Sequence, residues 1–194
     1  MKQPNEFWTW FLASARAISA DPESTALLKE LDDRVASTWP HLSWEIGPAG
    51  PDGWYLAISP SLDLQRVPEA REAAASAPTI PGWTIVPFRP RKEWDGTFEL
   101  ETATGARTLC VDDWRCVVLR HKDGHCEVMI AAPEAAELHA DERWMAAAVA
   151  LEGILGEEFV LDMIDNFSLE PFPDERNSSR YKPIWDLPKL FGLS

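Results

Sequence analysis

The chemistry-bearing residues crowd most closely at 120–127, Arg-His-Lys-Asp-Gly-His-Cys-Glu. Asp123-Gly124 is a strong signal for a two-residue hairpin loop. With that loop, Lys122 faces His125, His121 faces Cys126 and Arg120 faces Glu127 across the strands. His121 and Cys126 then share a face, where an imidazole and a thiol supply two metal ligands or a base beside a nucleophile. Zinc wants a third and a fourth ligand, yet neither C-x-x-C nor H-x-x-x-H occurs, and Cys116 points to the face opposite His121. Buried cysteines beside a polar hairpin tip, with Arg120 and Glu127 as a cross-strand ion pair, is the plainer reading.

Other chemistry is thinner. Glu158 and Asp162, among Glu134, Glu137, Asp141, Glu142, Glu157 and Asp165, stand at helical spacing, which suits acid–base work or simply a face that meets water. Ser59, in Ala-Ile-Ser-Pro-Ser, lacks the glycines of a nucleophile elbow, and Pro60 deletes the amide that serves an oxyanion. Residues 47–53, G-P-A-G-P-D-G, are glycine-rich, but their prolines remove the donors of a phosphate cradle and no lysine-serine pair follows. No cofactor is expected.

Recognition without catalysis has a better foothold in residues 77–91, A-P-T-I-P-G-W-T-I-V-P-F-R-P-R. Pro78, Pro81, Pro87 and Pro90 each fix φ and delete a donor, so the segment is an edge strand opening into a stiff exit. Trp83, Phe88 and Trp94 offer aromatic anchors, and Arg89 and Arg91, alternating about Pro90, suit a carboxylate or phosphate. The competing fate of both arginines is pairing with the protein's own 32 carboxylates.

The elements that must carry these residues follow from periodicity. Asn5 caps a helix with Phe7, Phe11, Ala15 and Ile18 inward, and Asp21-Pro22 opens a second with Leu27, Leu28, Leu31 and Val35 inward, ending near Trp39-Pro40. Strands at 42–46 and 54–59, a helix over 68–77 and a strand over 83–88 form one group. Strands at 112–121 and 126–131, helices from Pro133 to Ile164 (with Trp144, Ala148, Leu151 and Leu155 on one face) and a strand at 167–169 form another of the same order. Residues 97–110 supply extra strands between them. The expectation is one α+β domain over 1–170, an antiparallel sheet with packed helices and two strand-strand-helix-strand groups, followed by an extended or partly disordered tail over 171–194.

The formal charge is −14 and uneven: residues 127–194 hold fourteen acidic against five basic residues, whereas residues 64–126 hold nine of each. Such a surface repels phosphate backbones and suits a basic protein partner, so nucleic acid is excluded as a partner. No apolar run approaches a membrane span, no signal-peptide layout opens the chain, and three cysteines fit a reducing compartment, which together predict a soluble cytoplasmic protein. Ten tryptophans spread along the chain favour a core role for most.

F-W-T-W-F at 7–11, L-S-W-E-I-G at 42–47, A-I-S-P at 57–60, A-P-T-I-P-G-W-T-I-V-P-F-R-P-R at 77–91 and L-G-E-E at 155–158 occur in one order. In these motifs the chain resembles a family of small uncharacterised bacterial proteins, which implies bacterial origin and no catalytic residue. In size, charge and aromatic content it is also similar to acidic bacterial immunity proteins, which block toxins by surface contact. The sequence therefore predicts a non-enzymatic bacterial binding protein, immunity-like inhibition of a basic partner being its sharpest form. The alternative is a small hydrolase or metal-dependent enzyme using His121, Cys126 and nearby carboxylates.

Overall fold

The computed structural model describes residues 4–51, 53–172 and 179–193, and the chain forms two compact units, Met1–Arg89 and Pro90–Ser194. The protein is α+β. Sequence alone suggested one domain over 1–170; the two compact units meet between Arg89 and Pro90, inside the proline-rich segment.

In the first unit α1 spans Pro4–Ala20 and buries Phe7, Trp8, Phe11, Ala15 and Ile18, the stripe that helical spacing requires. Asn5 therefore lies within the first turn and does not cap it. Helix α2, Thr25–Thr38, buries Leu31, Val35 and Thr38 and begins after Ser24, three residues later than Asp21-Pro22 implied. Asp21 N–H still donates to the Ala17 carbonyl and Ser24 N–H to the Asp21 carbonyl, so Asp21-Pro22 forms the corner between the helices. The rings of Phe7, Trp8 and Trp39 interlock edge-on or tilted at 4.8–5.8 Å, and the Trp8 indole donates to Ser76 Oγ at 2.9 Å, satisfying its one polar atom.

Strands β1 (Ser43–Pro48) and β2 (Trp54–Ser59) pair antiparallel, helix α3 (Val67–Ala75) crosses over, and β3 (Trp83–Val86) returns parallel to β2 at the edge of a three-stranded sheet. A helix between two strands brings the second back in the first one's direction, which is why this pair is parallel within a largely antiparallel fold. Strand β3 stops at Val86 because Pro87 has no N–H to give.

The second unit opens with a separate hairpin, β4 (Thr97–Thr102) and β5 (Gly105–Cys110). Its main sheet then repeats the first unit's order. Strands β6 (Arg115–Arg120) and β7 (Cys126–Ala131) pair antiparallel, helices α4 (Ala140–Leu155) and α5 (Glu157–Met163) intervene, and β8 (Ile164–Glu170) lies parallel to β7. Of the face expected on α4, Ala148, Leu151 and Leu155 are buried, while Trp144 is exposed and stacks on Phe167 at 5.6 Å.

The tail departs from its extended or partly disordered expectation over residues 182–190. Lys182–Pro183 (β9) pairs with β6, a 3-10 turn covers Ile184–Asp186, and Leu187–Leu190 forms a final helical turn, α6. Ile184 and Leu187 are fully buried, so two apolar side chains anchor what low hydrophobicity read as loose. Residues 173–178 of that tail lie outside the described residues.

Candidate functional site

Residues Ile80-Pro81-Gly82-Trp83 set the geometry of the most promising surface. Trp83 N–H donates to the Ile80 carbonyl at 3.1 Å, and Gly82 has φ +77. Proline second and a positive-φ glycine third are the requirements of a type II turn. The turn delivers Trp83 to the start of β3, in register with Trp54 at the start of β2, and Trp54 N–H donates to the Gly82 carbonyl at 2.9 Å. In-register neighbours project on one face of a sheet, so the two indoles lie side by side, centroids 5.9 Å apart and tilted by 33°. Phe11 meets Trp83 edge-on at 5.0 Å and holds it from the core side.

Opposite these rings runs one stripe of α1, Leu12, Ala15, Arg16 and Ser19, and between stripe and rings lies an open cleft of about 600 Å³ that Ile80 also lines. The spacings of three and four residues put all four side chains on one helical face. Trp54 and Trp83 are half-buried and Leu12 is exposed. Arg16 is exposed and makes no ion pair among the described residues. The other arginines of this unit are engaged. Arg34 pairs with Glu30 and covers Trp10, Arg66 lies near Asp63 and Glu69, Arg71 covers Phe88 at 5.4 Å, and Arg89 donates to Ser43 Oγ at 2.7 Å.

The sequence candidates thus separate. Trp83 lines the cleft. Phe88 is buried, and Arg89 sits in an internal polar network with Ser43, beside Tyr55, whose phenol donates to Glu45 at 2.5 Å. Burial and the Glu45 carboxylate push that phenol far up, and Arg89 partly opposes them. Arg91 and Trp94 belong to the second unit. Trp94 packs so closely on α4 that a Cβ at Gly153 would lie 2.4 Å from its ring, and its buried Nε1 has no hydrogen-bond partner among the described residues. Arg91 is exposed with no ion pair among the described residues. Missed by sequence reasoning were Leu12, Arg16 and Trp54; the only signal available was the i, i+4 pairing of Leu12 and Arg16 beside the inward stripe of α1.

The histidine–cysteine hairpin differs from its expected register by one residue. His121 N–H donates to the His125 carbonyl and Gly124 N–H to the His121 carbonyl, so the loop holds three residues and Cys126 pairs with Arg120, Glu127 with Leu119. His121 and Cys126 therefore do not face each other, and the Arg120–Glu127 ion pair is not made. The Arg120 guanidinium lies 3.9 Å from Cys126 Sγ, His121 lies 3.4 Å from Glu127 and His125 lies 3.1 Å from Asp165. Among the described residues no three histidine, cysteine or carboxylate groups come together to hold a metal ion. Burial pushes the Cys116 thiol up to about 12, the opposite of what a nucleophile needs.

The acidic helices are not simply solvated either: Glu142, Glu152 and Glu157 are buried. Glu142 accepts from the Ala103 and His139 amides, each at 2.8 Å, which ties the β4–β5 turn to the start of α4 and holds its carboxyl below the usual range. A lowered folded-state pKa contributes stability that is complete above the unfolded value of about 4.3 and is lost as pH falls through the folded one. Replacing Glu142 with glutamine is therefore expected to lower stability at neutral pH and to shrink the difference from wild type on acidification below about pH 4. Urea midpoints across pH check this, and a gap that does not narrow would refute it.

Compared with family models, curated proteins and solved structures, the chain finds no match. Among the described residues no helix is long and apolar enough to cross a membrane.

Proposed function

We propose that the protein is a non-enzymatic binding protein of the bacterial cytoplasm and that the cleft between α1 and the Trp54–Trp83 pair is where its ligand docks. The observation that carries this reading is an aromatic-walled cleft lined by an arginine that makes no ion pair among the described residues, in a chain of net charge −14. Half-exposed tryptophans and arginine are the side chains that dominate binding energetics. Three free cysteines support a reducing compartment. Inhibition of a basic partner in the immunity-like manner is supported by the acidic charge alone, whereas the cleft joins aromatic walls, a cation and a bounded volume, so the cleft is the preferred reading.

Thermal unfolding in fractions of a bacterial cytoplasmic extract tests it. At least one fraction is expected to raise the Tm of the wild type while leaving Leu12→Glu, which introduces a charge at an exposed position of the cleft, unprotected. Equal protection of both proteins, or of neither, would sink the reading.

A further inference from the structure

We propose that the cleft takes a small, flat aromatic acid bearing a single carboxylate, a step that rests on the binding reading above and adds the ligand's chemistry. The two indoles are 5.9 Å apart, a separation at which they pack on each other and admit no ring between them. A ligand ring therefore lies against the open side of the pair, where offset stacking and apolar contact with Leu12 and Ile80 reward a flat, apolar body. The cleft volume of about 600 Å³ falls within the range of roughly 300–1,000 Å³ usual for small-molecule sites.

Arg16 decides the charge. Among the described residues it is the one cation lining the cleft, and the other arginines of the unit are already engaged. A guanidinium presents a fork that matches one carboxylate with two parallel hydrogen bonds. Ser19 Oγ donates to the Arg16 carbonyl at 3.2 Å, so its proton is already committed. A cationic ligand, although attracted by indole faces, meets Arg16; a polyanion meets the net charge of −14. One carboxylate on one ring satisfies both.

Isothermal titration of the full chain with four probes separates these contributions: indole-3-acetate, its neutral amide, tryptamine and hexanoate. Indole-3-acetate is expected to bind about tenfold or more tightly than the amide, the gain of one charge-assisted contact, with tryptamine and hexanoate weaker still. Arg16→Gln is expected to reduce the acetate to the amide's affinity and abolish the salt dependence of binding, while Arg91→Gln, at an exposed arginine of the second unit, leaves both unchanged. Arg16 is exposed, so its replacement does not threaten folding. Equal binding of acid and amide, acid binding indifferent to Arg16→Gln, hexanoate matching the aromatic acid, or no binding of any probe would each overturn the proposal. Should all four probes fail while an extract fraction still protects the wild type and not Leu12→Glu, the aromatic-acid assignment falls and the binding reading stands.

Discussion

Ending the chain after Arg180 is expected to unfold the second unit. The tail contributes two fully buried side chains, Ile184 and Leu187, and truncating either to alanine in place costs about 2–5 kcal/mol in comparable cores. Set against the roughly 5–15 kcal/mol that holds a domain folded, the loss of both leaves little margin. Other ties go with them. Strand β9 pairs with Arg115 and Cys116, Ile184 N–H donates to the Trp114 carbonyl at 3.0 Å, and the Trp185 indole donates to Asp112 at 3.0 Å. Arg120 donates to the Leu190 carbonyl and covers the Phe191 ring, which meets Phe159 edge-on at 5.0 Å. Cys116 reports the outcome chemically. It is fully buried and its thiol lies 3.8 Å from the Pro183 carbonyl, so it is expected to resist alkylation in the full chain and to react readily in the truncated one. A truncated chain with an unchanged urea midpoint and an inert Cys116 would show that the tail is dispensable.

Phe11→Ala is expected to cost the first unit about 3–5 kcal/mol and to loosen the cleft at the same time. Phe11 is fully buried, stacks on Phe7 at 6.0 Å, and meets Trp8 at 6.2 Å and Trp83 at 5.0 Å. Removing the ring leaves a cavity against rigid aromatic neighbours that cannot collapse to fill it, and it withdraws the support beneath Trp83. Its neighbour in sequence is the control. Leu12 is 48% exposed, so Leu12→Ala is expected to change stability by no more than about 0.5 kcal/mol. Urea denaturation of the two variants checks the contrast; similar losses from both would show that Phe11 is not a keystone of this core.

Much of the fold was legible because local rules and burial agreed. The Phe7, Phe11, Ala15, Ile18 stripe placed α1, and the prolines around Trp83 placed the edge strand that presents it, although not the turn at Pro81-Gly82. The order strand, strand, helix, strand emerged in both units. Where the reading slipped, two local solutions were nearly equal. Asp123-Gly124 fits a two-residue or a three-residue loop, and one residue moves every side chain to the other face. Glu142 and Glu157 looked solvated because a helix pattern does not reveal which neighbours reach a carboxylate. Residues 182–190 looked loose because two buried side chains in a short segment leave no periodic trace.

The candidate site divides along the same line. Sequence alone marked Trp83, since proline constrains the backbone wherever it stands, and it flagged Arg89 and Arg91 as cations on a stiff segment. Only tertiary structure decided that Arg89 is engaged with Ser43, that Trp94 lies on Gly153, and that the arginine lining the cleft beside the tryptophans is Arg16. Backbone conformation is set by residues next to one another in the chain. Whether a charge is spent on a partner depends on residues far along it, here the forty-six positions separating Ser43 from Arg89, and no periodicity encodes that distance.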